Sequence, residues 1–250
     1  TLTKPLVCLH IRGISYKSHV SYIALKQLTL AHLDDRYSDS VHIYTDGSVT
    51  SSASAAAFVI PQLSISRQYK LDHRSTSTAA ELVAIQEAIK FVNDQAPRKW
   101  TILSDSKSAL QAIHSCSRRG QFYELTLGIV QAFDLTHRSG HLITLQWIPG
   151  HCGLVGNETA DSEARAAIYN APMYVKVPYS RGDVNTLLRS LMRKCAATYW
   201  SPPDHRNKRL RETDRGMIFR LPDKISRRHA NILHRIRLGV TFTRHYTHLI

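Results

Sequence analysis

Four acidic residues, Asp46, Glu81, Asp105 and Asp161, stand where one sequence pattern gives way to the next. Each has an ordinary structural explanation. Asp46 before Gly47 suits a turn, and Glu81, three residues after Thr78, suits a capping box. Asp105 between two serines suits a helix N-cap, and Asp161 at a helix start complements the helix dipole. Jointly they suggest more. Several carboxylates in one pocket repel one another and raise their own pKa values unless cations are present. Divalent cations resolve that conflict, and hard oxygen ligands suit Mg²⁺, with Mn²⁺ as substitute, whereas zinc prefers the imidazole and thiolate groups that are scattered here.

The elements that must position these residues follow from periodicity. VHIYT is a short strand ended by the turn signal DGS, and AAAFVI and LSISRQYKL are two more strands, forming an antiparallel meander. In STAAELVAIQEAIKFVNDQ, Leu82, Ile85, Ile89 and Val92 recur as one buried helical face requires. WTILSD is a strand reached through that helical crossover, hence parallel to a meander strand. Helical patterns SKSALQAIHS and YELTLGIVQAFDLTHR, the strand HLITLQWI, the polar loop PGHCGLVGN and the helix ETADSEARAAIY complete an α/β layer with a five-stranded mixed sheet flanked by helices. Ligands of open α/β sheets gather outside the carboxyl ends of parallel strands, where Asp105 stands; Asp46 is its neighbour if the first strand is the parallel partner. The expected organisation is a connector over 1–40, with a loosely amphipathic stretch from Tyr22 to Leu33, an α/β domain over 41–170, and an extension over 171–250.

The strings YTDGS, TAAELVAI, ILSDSKSAL and WIPGHCGLVGNETADSEAR, in this order, resemble the signature segments of type 1 ribonuclease H. The flanking IRGISYKSH and ILHRIRLGVTFTRHYTHL resemble the segments that bracket this domain in non-LTR retrotransposon polyproteins, after the reverse transcriptase. A chain beginning at Thr1 fits a piece of such a polyprotein. The resemblance implies an endonuclease that hydrolyses the RNA strand of RNA/DNA hybrids, with Asp46, Glu81, Asp105 and Asp161 holding two Mg²⁺ ions about 4 Å apart at the scissile phosphate. Products would carry 3′-hydroxyl and 5′-phosphate ends. His151 matches the family's loop histidine, with proton shuttling or product release as its role, and Asn157 the asparagine near it, as a nucleic-acid contact. Many family members carry glycines and asparagines where this chain reads VTSSASAAAF and RSTSTAA. Contacts to RNA 2′-hydroxyls would therefore fall to groups such as Ser48 and Ser106. The rival readings are a catalytically inactive, nucleic-acid-binding retroelement remnant, and another nuclease or transposase on the same fold.

Charge separates the tail from the rest. The chain carries a net charge of +14; residues 172–250 hold 17 basic and 5 acidic side chains, leaving 16 and 14 for residues 1–171. So basic a block, expected to be mainly helical near Val184 to Tyr199, Arg209 to Leu221 and Arg227 to Leu238, is attracted to nucleic acid. Arg209, Arg227 and Arg228 suit phosphate contacts that fix position without reading sequence. His245 and His248 lack further ligands, so no zinc is assigned. Four scattered cysteines without a C-x-x-C pair suit neither a disulfide framework nor a thiolate zinc site, and are read as free thiols. With no membrane span or secretory leader in view, an intracellular setting, cytoplasmic or nuclear, is expected.

Overall fold

The structure, a computed structural model of the chain, describes residues 2–14, 20–200, 221–222 and 224–238. The chain divides into two compact units, Thr1–Val184 and Asn185–Ile250. The first contains strands β1 (Leu6–Cys8), β2 (Val41–Val49), β3 (Ser54–Ile60), β4 (Ile65–Leu71), β5 (Lys99–Ser104), β6 (Leu142–Trp147) and β7 (Met173–Val175). Its helices are α1 (Tyr22–Tyr37), α2 (Ser77–Asn93), α3 (Lys107–Ser115), α4 (Tyr123–Arg138) and α5 (Val155–Asn170).

The sheet order is β1-β6-β5-β2-β3-β4-β7. β2, β5, β6 and β1 run parallel, the meander β2-β3-β4 is antiparallel, and β7 runs parallel to β4. The sheet is mixed, as expected, but has seven strands rather than five. The additions are three-residue edge strands from outside the expected domain, so the first unit extends beyond 41–170 on both sides. The segment read as a connector also forms a 16-residue helix, α1, whose buried stripe is Leu25, Thr29 and Leu33.

Both faces of the sheet's centre are covered, which explains the composition of β3: all seven residues of SAAAFVI are buried, and three alanines admit close helices on either side. Side chains alternate across a strand. Gly47 thus lies under α2, where a Cβ would come within 2.8 Å of Ala80 Cβ, while Tyr44, three residues earlier, packs its ring on Gly156 of α5. The main core runs from Ile43 and Phe58 through Leu82, Ile85 and Ile89 to Ile102, Leu103, Leu110 and Ile129.

The last helix to begin in the first unit, α6 (Arg181–Trp200), continues into the second, which also contains α7 (Arg227–Leu238). α6 exposes Leu187, Leu188, Leu191 and Met192, and Arg227 and Arg228 are exposed at the start of α7. Arg209, the helical piece expected around it, His245 and His248 lie outside the described residues. Among the described residues, no helix is long and apolar enough to cross a membrane.

Candidate active site

Asp46 lies inside a strand. β2 continues through Asp46-Gly47-Ser48 to Val49, with Asp46 opposite Ala57 and Gly47 opposite Ala56, so the DGS turn expected there is absent. Asp105 follows directly on β5, the parallel neighbour of β2. Glu81 is the fifth residue of α2, whose N-cap is Thr76, accepting from the Ala79 N–H at 3.3 Å; the Thr78–Glu81 capping box does not form. Ser106, not Asp105, caps α3, accepting from Ala109 N–H at 3.3 Å. Asp161 is the seventh residue of α5, too far in to answer the terminal dipole. The caps of α2 and α3 thus fall to Thr76 and Ser106 instead of the carboxylates beside them.

Three of them meet. Asp46, Glu81 and Asp105 each place a carboxylate oxygen within 4.8 Å of the other two, although Asp46 and Glu81 are buried. Glycines allow this approach. At Gly47 a Cβ would fall on the backbone of Ala80 and Glu81, and at Gly150 on the Asp105 carboxylate. Burial, then the Asp105 and Asp161 charges, push Asp46 up to about 7, against the pull of Arg165 and a backbone hydrogen bond with Gly47. Burial first, then Asp46 and Asp105, raise Glu81 well above the usual carboxylate range, and Glu81 Oε2 is buried with no hydrogen-bond partner. Desolvated, mutually repelling oxygens, one of them unsatisfied, fit a hard divalent cation.

The fourth carboxylate stands apart. Asp161 Oδ2 pairs with Arg165 Nη2 at 2.7 Å and forms a second group with His151 and Glu158, with one ligand atom of each within 4.8 Å of the others. His151 and Glu158 are exposed. His151 has a φ of 54° and Gly153 a φ of 77°, so the Pro149–Gly153 loop turns tightly, closed by the Cys152 thiol donating to Pro149 O at 3.1 Å. Asn157, expected to contact nucleic acid, is instead turned inward. Only 2% exposed, it donates Nδ2 to Asp105 Oδ2 at 3.5 Å, and its Oδ1 has no hydrogen-bond partner.

Of the other expected contacts, Ser48 is half-buried in β2 opposite Ala55, and the Ser106 hydroxyl is engaged as a cap and with Ser108 Oγ at 3.2 Å. Sequence reading missed Arg165 and Glu158, although both stand at helical spacing from Asp161. It also missed Lys107, whose ammonium lies 4.6 Å from the centroid of the Trp147 ring, while Trp147 Nε1 donates to Asp105 O at 3.2 Å.

Two parallel strands that deliver aspartates side by side, with a glutamate lowered from the covering helix, define a mixed α/β domain built around a carboxylate centre. The RNase H family model matches residues 38–169, more than half of the chain, and the chain belongs to that family. It is 34% identical over 103 residues to a ribonuclease H of Jannaschia sp. (strain CCS1), covering 38% of this chain and 64% of that protein. It is 28% identical over 120 residues to a Pol polyprotein of caprine arthritis encephalitis virus (strain Cork), and 31% identical over 120 residues to one of ovine maedi visna related virus (strain South Africa). Each of those alignments covers 47% of this chain and 10% of the polyprotein.

Proposed function

We propose that this chain hydrolyses the RNA strand of RNA/DNA hybrids within a retrotransposon polyprotein that carries a reverse transcriptase upstream. The observation that carries the reading is the convergence of Asp46, Glu81 and Asp105 within 4.8 Å around an unsatisfied Glu81 oxygen. Two Mg²⁺ ions, or Mn²⁺ in their place, would supply charge stabilisation at the scissile phosphate and an activated water at neutral pH. The chain's own residues do the rest. Gly150 brings loop backbone against Asp105, Asn157 orients Asp105 from behind, and exposed His151 stands beside Asp161 to move a proton. The exposed arginines of the extension hold the substrate backbone, giving strongly salt-dependent binding.

The test is cleavage of end-labelled RNA in an RNA/DNA hybrid, with Mg²⁺ and with chelator, by wild type and by Asp105→Asn, alongside duplex DNA and duplex RNA. Metal-dependent cutting of the hybrid by wild type alone is the expected result. Binding without cutting would favour an inactive nucleic-acid-binding remnant, and cutting of duplex DNA would favour another nuclease on this fold.

A further inference from the structure

The segment ahead of the family domain reaches the loop that carries His151, and it does so at two points. At the far end of α1, Tyr37 Oη donates to Gln146 Oε1 at 2.8 Å, and His32 Nε2 lies 3.3 Å from the same oxygen. Burial, reinforced by the neighbouring Cys8 thiol, raises the Tyr37 phenol above its usual range, so it remains a donor. Gln146 is fully buried and uses its amide nitrogen as well: Nε2 donates to Trp147 O at 2.7 Å and to His10 O at 3.4 Å. Three residues later the loop begins at Pro149. At the near end of α1, fixed by Ser21 as N-cap, Tyr22 and Lys26 lie against Gly153, where a Cβ would come within 3.2 Å of Tyr22 Cζ and 3.6 Å of Lys26 Cδ. Gly153 N–H in turn donates to Glu158 Oε1 at 3.3 Å, inside the group that contains His151 and Asp161. α1 thus spans the loop, gripping the strand that enters it and the glycine that leaves it. Residues 22–37 lie outside the 38–169 matched by the family model, so this brace is an addition to the domain.

We propose that α1 is a positioning element of the active site, with Tyr22 and Tyr37 as the residues that hold the Pro149–Gly153 loop, and through it His151, in register with Asp161. The proposal rests on the ribonuclease H reading for its catalytic consequence, but the brace itself has a readout independent of cleavage. Tyr22 is 58% exposed, so its truncation removes a contact without opening the core. Tyr37→Phe removes only the hydroxyl.

The experiment measures, on the full chain, backbone hydrogen exchange at Gly150, Cys152 and Gly153 together with steady-state cleavage of the hybrid, for wild type, Tyr22→Ala, Tyr22→Phe and Tyr37→Phe. A misplaced catalytic group costs rate more than binding. Tyr22→Ala should raise exchange in the loop about tenfold and lower kcat about tenfold with KM within about twofold. Tyr22→Phe, which keeps the ring edge but loses the hydroxyl nearest Gly153, should fall between wild type and Tyr22→Ala in both, and Tyr37→Phe should give a smaller change in the same direction. Unchanged exchange in Tyr22→Ala and Tyr37→Phe overturns the proposal, as does faster exchange in Tyr22→Ala with kcat equal to that of a wild type that cuts. If wild type does not cut but Tyr22→Ala still loosens the loop, the brace stands and the ribonuclease H reading fails.

Discussion

The two groups of polar residues at the site are built on opposite plans. Asp46, Glu81 and Asp105 come from β2, α2 and the end of β5; the first two are buried, and glycines at 47 and 150 press backbone against them. His151, Glu158 and Asp161 come from one loop and the helix that follows it, and His151 and Glu158 face water. Burial strips solvent from Asp46 and Glu81 and leaves little water to relax their repulsion, and both are pushed upward. Charge in the second is answered by Arg165 and by water. A rigid, electrostatically strained group suits holding a cation in fixed geometry; an exposed group on a loop suits a proton that must come and go.

The sharpest test of that division removes one charge from each group. Asp105→Asn should lower cleavage by at least about a thousandfold, roughly 4 kcal/mol of transition-state stabilisation, while hybrid binding stays within about threefold, because the phosphate contacts lie elsewhere. His151→Ala should cost only about tenfold to a hundredfold. Single-turnover cleavage of labelled hybrid measures both. Equal losses would erase the distinction between the groups.

The second effect is on stability. Asp46 is held at about 7 in the folded protein against 3.8 for the free group. Between those values the unfolded chain ionises and the folded one does not, so folding is favoured at low pH and loses stability as pH rises from about 4 to 7. The difference, about three units, corresponds to a loss on the order of 4 kcal/mol, complete above pH 7. Chelator-treated protein should therefore melt lower at pH 8 than at pH 5.5, and Asp46→Asn should flatten that slope. A divalent cation competes with the proton, so its stabilising effect should grow over the same range. A metal-free melting temperature that does not fall from pH 5.5 to 8 would show the first group to be better solvated than its burial implies.

Much of this site was legible because chemistry and periodicity agree: four carboxylates that follow one another beside recognisable strand and helix patterns, and a helix whose apolar residues keep strict spacing. What escaped did so for identifiable reasons. Pairing with β3 holds Asp46-Gly47-Ser48 extended, overriding a strong local turn signal, as tertiary context often does. β1 and β7 are three residues each, too short for a two-residue period to register. α1 looked loosely helical because one of its three buried positions is Thr29, whose hydroxyl is satisfied by Leu25 O at 2.7 Å, while Ile23 and Leu30 are exposed. Counting apolar residues alone misplaces that face. The resemblance implies a nucleic-acid contact for Asn157, but the close packing of Gly156 on Tyr44 draws that turn of α5 onto the sheet, where Asn157 is buried.

Gly150→Ala probes the boundary between the groups, since the glycine belongs to the loop but its Cα faces Asp105. A Cβ there would overlap the Asp105 carboxylate, and relieving such overlap typically costs about 1–3 kcal/mol. The loop should be displaced and divalent-cation affinity reduced about tenfold, as read by calorimetric titration with Mn²⁺ on the intact chain. Unchanged affinity would mean that the loop yields and the first group does not depend on it.

The smallest effect concerns Arg165, which serves both groups at once: it pairs with Asp161 and pulls Asp46 downward. Its side chain is 65% exposed, so solvent screens it, and an exposed pair is worth about 0–1 kcal/mol. Removing it in Arg165→Gln withdraws support from ionised carboxylates only. The part acting through Asp46 should thus be visible in chelator at pH 8, as a melting temperature a degree or two below wild type, and vanish at pH 5.5 where Asp46 is protonated. Saturating Mg²⁺ should also abolish it, because a divalent cation supplies the same compensation more strongly. Thermal melts in those three conditions decide the matter: a deficit that persists with Mg²⁺ would make Arg165 a packing residue of α5 instead of a counter-charge shared between the two groups.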